Sequence, residues 1–358
     1  MGADTAKPRP ADDRWHISEW DRKALPFLVS GLMIAYYVRD IAWSQLVEAA
    51  SHANLPLAAA AVLLPQLVSW FLGAVMVERT INWFHGPFPL RTYFWVRGGA
   101  YLLAFINNAI GGGGLMLYQK TRAEISWPKL LGITLFRVGV SFWGIGLVMI
   151  PATLLLHQQG LARKVFSSDT SLHVWWTILI VPGFLFLLSN WNYWFRGRDL
   201  TGLGRVLVRD RKAEFWTAFD QSTPRRWLIL WALFLPQYLL SILAFHMLNL
   251  AFGIHVPFIE AMVALPFAFV IMDLPIAFGG FGTMTLAWMT FFSDYGSVES
   301  IAALTLFVPI ARLACRGAIG GLSMKPALAE VNRLMDTPGS TTAELSEARE
   351  PEPEPAPS

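Results

Sequence analysis

The chain predicts an all-α polytopic membrane protein: about six full spans plus two re-entrant or broken helices, set in an inverted repeat over eight hydrophobic segments. Three observations lead there. Only 15% of its 358 residues are charged, against 54% apolar, where soluble domains run nearer a quarter charged. The apolar residues are clumped. Leu57 to Val77, Val174 to Phe195 and Trp227 to Gly253 contain no Asp, Glu, Lys or Arg, and each reaches the roughly 20 residues a helix needs to cross about 30 Å of hydrocarbon. Finally, two of the apolar runs are interrupted by glycine clusters that poorly sustain a continuous helix.

Residues 1–23 mix five basic and five acidic residues with proline. They read as a cytoplasmic segment ahead of a retained first span rather than as a cleaved signal. Apolar segments then follow near 24–38, 57–77, 98–118, 130–156, 174–195, 227–250, 257–292 and 300–322. They define a membrane domain over 24–322, with a first repeat at 24–156, a second at 172–322, and a basic cytoplasmic loop at 196–226. The tail 323–358 ends in Glu-Pro repeats and reads as disordered and cytoplasmic. Many of the 16 Trp and 25 Phe sit at run ends, among them Trp83, Phe84, Trp175, Trp191, Trp194 and Trp227, where interfacial belts form.

The first interrupted segment holds Asn107, Asn108 and Gly111-Gly112-Gly113-Gly114, and the second holds Asp273, Pro275, Gly279, Gly280 and Gly282. Free backbone groups at membrane depth must be buried in protein or line a wet cavity, so both segments are read as breaks. The alternative is a glycine packing face between continuous helices. If both segments return to the side they enter, the cytoplasmic segments carry 22 of the 28 Lys/Arg and the outer ones three, as the positive-inside rule asks. A weak repeat agrees. Leu64-Pro65-Gln66 recurs as Leu235-Pro236-Gln237, with Ser69 and Ser241 shortly after, and each glutamine precedes a glycine of its cluster (Gly111, Gly282) by 45 residues. Under this topology the copies enter the membrane in opposite directions, an arrangement common in secondary transporters.

Ionisable residues within a span are costly and default to functional candidates. Arg137 lies in one apolar helix, Arg312 and Arg316 lie four apart in another, and Asp273 precedes a break. An arginine fork suits an anionic phosphate, and Asp273 can balance an arginine or take a proton. The same residues equally fit a structural Asp–Arg pair pinning two helices. Arg316 is read as an interfacial snorkeller, Gln66 and Gln237 as stabilisers of their proline kinks, and Asn107 and Asn108 as partners for exposed backbone groups or a head group. Cys315 is a packing residue and, being alone, forms no internal disulfide. The seven histidines show no zinc spacing, and neither a GxSxG elbow nor a Walker A motif occurs. No cofactor, metal or nucleic acid is expected, and the loop 196–226 is expected to lie on anionic inner-leaflet lipids.

At these residues the chain resembles the flippase-like membrane domain of lysylphosphatidylglycerol synthetases and its stand-alone relatives. The resemblance rests on Phe105 to Gly114, Ile125-Ser126, Lys129 and Leu135-Phe136-Arg137, then on Leu274 to Gly282, Ala302 to Arg312 and Gly320-Gly321. It implies a multi-pass protein of the bacterial inner membrane that moves a lipid or lipid-linked head group between leaflets. Only the tail 323–358 follows the membrane domain, where the synthetases carry an aminoacyl-transferase domain, so aminoacylation is not expected, and Met284 and Thr285 stand where that family commonly carries an Arg-Glu pair. The expected function is a lipid flippase or transporter rather than an enzyme. Its site residues are Arg137, Arg312, Asp273, Asn107, Asn108, Gly111, Gly112, Gly113, Gly279, Gly280 and Gly282. The alternatives are an integral-membrane enzyme modifying a lipid or polyprenyl carrier, or an accessory subunit of a lipid or glycan synthase.

Overall fold

The computed structural model describes residues 42–106, 108–158, 213–272 and 282–335, with Leu32, Ala35, Tyr36 and Arg39 before them. Among the described residues the chain is helical, with no strand. Most of 24–38, the segment 174–195, the loop up to 212, Asn107, the stretch 273–281 and the tail from 336 lie outside them.

Helix α1 (Trp43–His52) is short, and Ala42 N–H at its start donates to Gln45 Oε1 at 3.0 Å. Helix α2 (Leu55–Phe84) opens on an Asn54 cap, whose Oδ1 accepts from Leu57 N–H at 3.1 Å. Such a cap satisfies one of the four N–H groups that a helix start leaves free. Next come α3 (Leu90–Ile106), α4 (Asn108–Ala123) and α5 (Trp127–Gln158). A 3-10 turn (Glu214–Trp216) and a single turn, α6 (Thr217–Asp220), lead to α7 (Pro224–Ala251). Thr223 caps α7 and Pro224 starts it, where a missing N–H costs nothing. Helices α8 (Phe258–Met272), α9 (Thr283–Phe292) and α10 (Val298–Met335) complete the described fold. Among the described residues three helices, spanning Leu55–Phe84, Pro224–Ala251 and Val298–Leu334, are long and apolar enough to cross a membrane.

Helices α2 and α7 pack along their length and run antiparallel, since Asn54 N–H donates to Ala251 O at 2.9 Å across their opposite termini. Around this pair, α3 lies on α10 and α8 lies on α5. Small residues set the close approaches. A Cβ on Gly98 would overlap Ser323 of α10, one on Gly99 would meet Ala327 Cβ at 2.9 Å, and one on Gly320 would meet Leu102 Cγ at 2.5 Å. In lipid the hydrophobic effect does not drive helices together, so such shape fit carries the association.

Two helical hairpins stand out. In the first, α3 and α4 meet through Gly111, whose added Cβ would lie 3.0 Å from both Ala104 N and Ala104 Cβ. At the open end Gln119 Nε2 donates to Tyr93 Oη at 2.9 Å, and the Tyr93 and Tyr118 rings stack at 6.1 Å. The chain therefore comes back to where it started. In the second, α8 and α9 pack together, and their open end is closed by His255 N–H donating to Tyr295 O at 3.0 Å and by the Tyr295–Glu260 hydrogen bond. This hairpin lies in the main core with Trp288, Phe292, Leu265, Ile301 and Leu304, each fully buried. A second core, at the far end, joins Phe84, Phe136, Phe219 and Trp227 edge to face.

Three expectations change. The four glycines do not break a helix: Gly111 to Gly114 are helical within α4, and α3 is described up to Ile106 and α4 from Asn108. Neighbouring α3 supplies the support that their intrinsic propensity lacks. The chain past Leu322 is not disordered at once, because α10 continues to Met335. It is held there by Glu330, which is buried and accepts from Arg122 Nε at 3.2 Å and from Tyr118 Oη at 3.4 Å. Arg97, counted by charge as part of a cytoplasmic segment, lies within α3.

Candidate functional site

Pro65 and Pro236 sit inside α2 and α7 at the level where these helices cross. Neither proline can donate to the carbonyl four residues back, Ala61 or Ala232. The residues that follow them meet there: Gln237 Nε2 donates to Ser69 Oγ at 3.1 Å. Beside this contact lies a cavity of about 270 Å³, walled by α2, α3, α7 and α10. Gln66, Ser69, Gln237 and Ser241 form one polar wall, while Ala61, Val62, Phe245, Leu248 and Val308 are apolar.

Three arginines face the same cavity: Arg97 and, from α10, Arg312 and Arg316. Arg97 reaches it from α3 because Gly73 of α2 leaves room. A Cβ on Gly73 would fall 2.5 Å from Arg97 Nη2. Its Nε is buried and makes no hydrogen bond among the described residues, and the same holds for Gln237 Oε1. The Arg312 guanidinium lies over the Phe245 ring at 5.4 Å, and that of Arg316 over Tyr101 at 5.7 Å. Ring faces at that distance hold a cation by their quadrupole. Tyr93, Arg97 and Tyr101 follow one another at four-residue spacing, so a single face of α3 presents all three. A cation group so placed, with amides and hydroxyls opposite, can bind an anion at the depth of the spans.

Of the residues singled out by sequence, Arg312 lines this cavity. Arg137 does not: it is half-buried on α5, within electrostatic reach of Tyr93 and Arg97, and its carbonyl accepts from Ser141 Oγ at 3.1 Å. Gly111 is buried against α3, whereas Gly112 and Gly113 are exposed with open space around them. Gly282 caps α9 at φ +80°, a conformation that other residues adopt with strain. Asn108 is the first residue of α4. Asn107, Asp273, Gly279 and Gly280 lie outside the described residues.

Sequence reasoning missed Arg97 and Tyr101, read Arg316 as a residue of the interface, and read the two Pro-Gln pairs as kinks alone. The repeated Leu-Pro-Gln with its trailing serine was the available signal, since a polar pair recurring in two charge-free spans needs a shared polar neighbour. No protein family, curated protein or solved structure matches the chain. The described residues hold no group of three or more His, Cys, Asp or Glu able to bind a metal.

Proposed function

We propose that the protein is a lipid transporter of the flippase type, moving a lipid or lipid-linked head group between leaflets while the acyl chains stay in the bilayer. The observation that carries this reading is the arginine-lined polar cavity at the crossing of two proline-containing spans. A head group dragged through hydrocarbon loses several kcal/mol for each unsatisfied polar group. A cavity offering amides, hydroxyls and guanidiniums at that depth offsets the loss.

The helix arrangement supports it. Long helix, hairpin, long helix occurs twice, as α2 to α5 and as α7 to α10. Each hairpin lies against the other half's last helix, α3 on α10 and α8 on α5, while α2 and α7 pair antiparallel. We read this as an inverted repeat, with the cavity at the repeat interface where alternating access is organised. Rocking one half against the other about the α2–α7 contact would expose the cavity to each leaflet in turn.

Charge orients the reading. Arg79, Arg91, Lys120, Arg122, Lys129, Arg225, Arg226, Lys325 and Arg333 gather, with Glu78, Glu124, Glu214, Asp220 and Glu330 among them, at the end where α2 finishes and α7 begins, and Glu48, Glu260, Asp294 and Glu299 lie at the opposite one. The basic end is the cytoplasmic face of a bacterial inner membrane under the positive-inside rule, with both chain termini on that side. The resemblance to the flippase-like domain of lysylphosphatidylglycerol synthetases points the same way.

The test is transbilayer movement of fluorescent phospholipids in reconstituted vesicles. Wild type accelerates it, and Arg312→Ala slows it at least tenfold with the fold intact. Unchanged rates in the well-folded variant would remove Arg312 from the path. A new covalent lipid product without redistribution would favour the enzyme alternative.

A further inference from the structure

We infer that the cavity selects a net-anionic, phosphate-bearing lipid head group, and that Arg97, from the first hairpin, is its specificity-determining ligand. The inference rests on the cavity being the transport site and names what that site takes.

Arg97 is singled out by three observations. Its Nε is a buried donor without a hydrogen bond among the described residues. Its guanidinium is seated against Gly73, where any side chain would displace it. It lines the same cavity as the two arginines that α10 supplies. Buried donors are ordinarily satisfied, so an unsatisfied one on a cation marks a place for an acceptor that arrives from outside. A phosphoryl group matches such a site, since its oxygens can each accept from a separate guanidinium and two can accept from one planar fork.

Size narrows the occupant. At about 270 Å³ the cavity is at the small end of ligand pockets, which run to roughly 1,000 Å³, so it takes a head group and leaves the chains outside. The sign of the charge narrows it further. A choline or ethanolamine ammonium would be carried in beside the Arg97 guanidinium, and like charges at such depth repel strongly. Glycerol hydroxyls or a bare phosphate monoester bring no such conflict and can bond the amides of Gln66 and Gln237.

The test uses the full chain in nanodiscs and reads binding of three probes by intrinsic fluorescence: dihexanoyl phosphatidylglycerol, dihexanoyl phosphatidylcholine and inorganic phosphate. Wild type is expected to bind the phosphatidylglycerol at least tenfold tighter than either other probe. Arg97→Gln is expected to lose that preference, and Arg97→Lys to recover part of it, keeping the charge without the fork. A thermal unfolding scan accompanies each variant, and the lysine variant carries the test if the glutamine variant does not fold. Equal affinity for the two lipids, or an unchanged preference in Arg97→Gln, overturns the inference. Phosphate binding as tight as the lipid overturns it in favour of a free anion. Vesicle transport separates the two claims. Transport without head-group preference leaves the flippase reading and removes this one, while selective binding without transport does the reverse.

Discussion

The two hairpins have the same shape and opposite surroundings. In α8 and α9 most of the described side chains are buried, and polar groups among them are paired: Trp288 Nε1 donates to Asn249 Oδ1 at 2.8 Å, and Thr285 bonds Thr305 at 3.1 Å. In α3 and α4 one face carries Arg97 and Tyr101 to the cavity while Leu103, Ile110, Gly113 and Leu117 are exposed. One hairpin acts as a wedge that holds the helices apart at a set distance. The other forms a wall with a wet side and a lipid side. The two hairpins thus share a geometry and differ in what they contact.

The sharpest way to break the comparison is topological, because the outcome is all or none. In a Cys315→Ser background, cysteines at Arg91 and Glu124 should label from the cytoplasmic side only, and cysteines at Asp294 and Ser297 from the outer side only. Labelling of all four from one side would end the two-hairpin reading in its inverted form. Next in size is Trp288→Ala in the wedge, where loss of a fully buried ring should cost about 3–5 kcal/mol in unfolding free energy. A cost near zero would mean that the wedge is not packed as described. In the wall, Tyr93→Phe leaves Gln119 Nε2 buried without its acceptor, and denaturant unfolding should register a loss of about 1–3 kcal/mol.

The smallest effect separates the glycines themselves. Gly112→Ala meets nothing within 4 Å and should stabilise by about 0.5–1 kcal/mol, the helix-propensity difference. Gly111→Ala must push against the backbone of Ala100 and Ala104, at 3.1 and 3.0 Å, and should destabilise. Melting temperatures shifting in the same direction for both variants would show that Gly111 is not a contact point.

The long apolar helices and a break in the first glycine-bearing segment were legible from composition, because hydropathy and turn chemistry act over a few residues, while the second expected break falls outside the described residues. The place of the first interruption was not. Four glycines are poor helix formers alone, but Gly111 gains a close backbone contact with α3, which no local rule contains. Arg97 was hidden for a related reason. It lies before the charge-free run beginning at 98, so hydropathy assigned it to a loop, whereas the helix begins at Leu90. Arg312 was legible because, with Arg316, it interrupts an otherwise apolar run.

Pro65 has a consequence for mutagenesis. Because it gives no N–H to the Ala61 carbonyl, and Ala61 borders the cavity, a main-chain acceptor without its usual helical donor lies beside the site. Replacing Ala61 with another small residue leaves that oxygen where it is. Only Pro65→Ala, which restores an amide proton one turn further on, withdraws it. A scan of polar side chains would pass over this group, and the proline, itself without charge or hydrogen-bonding side chain, would carry its phenotype.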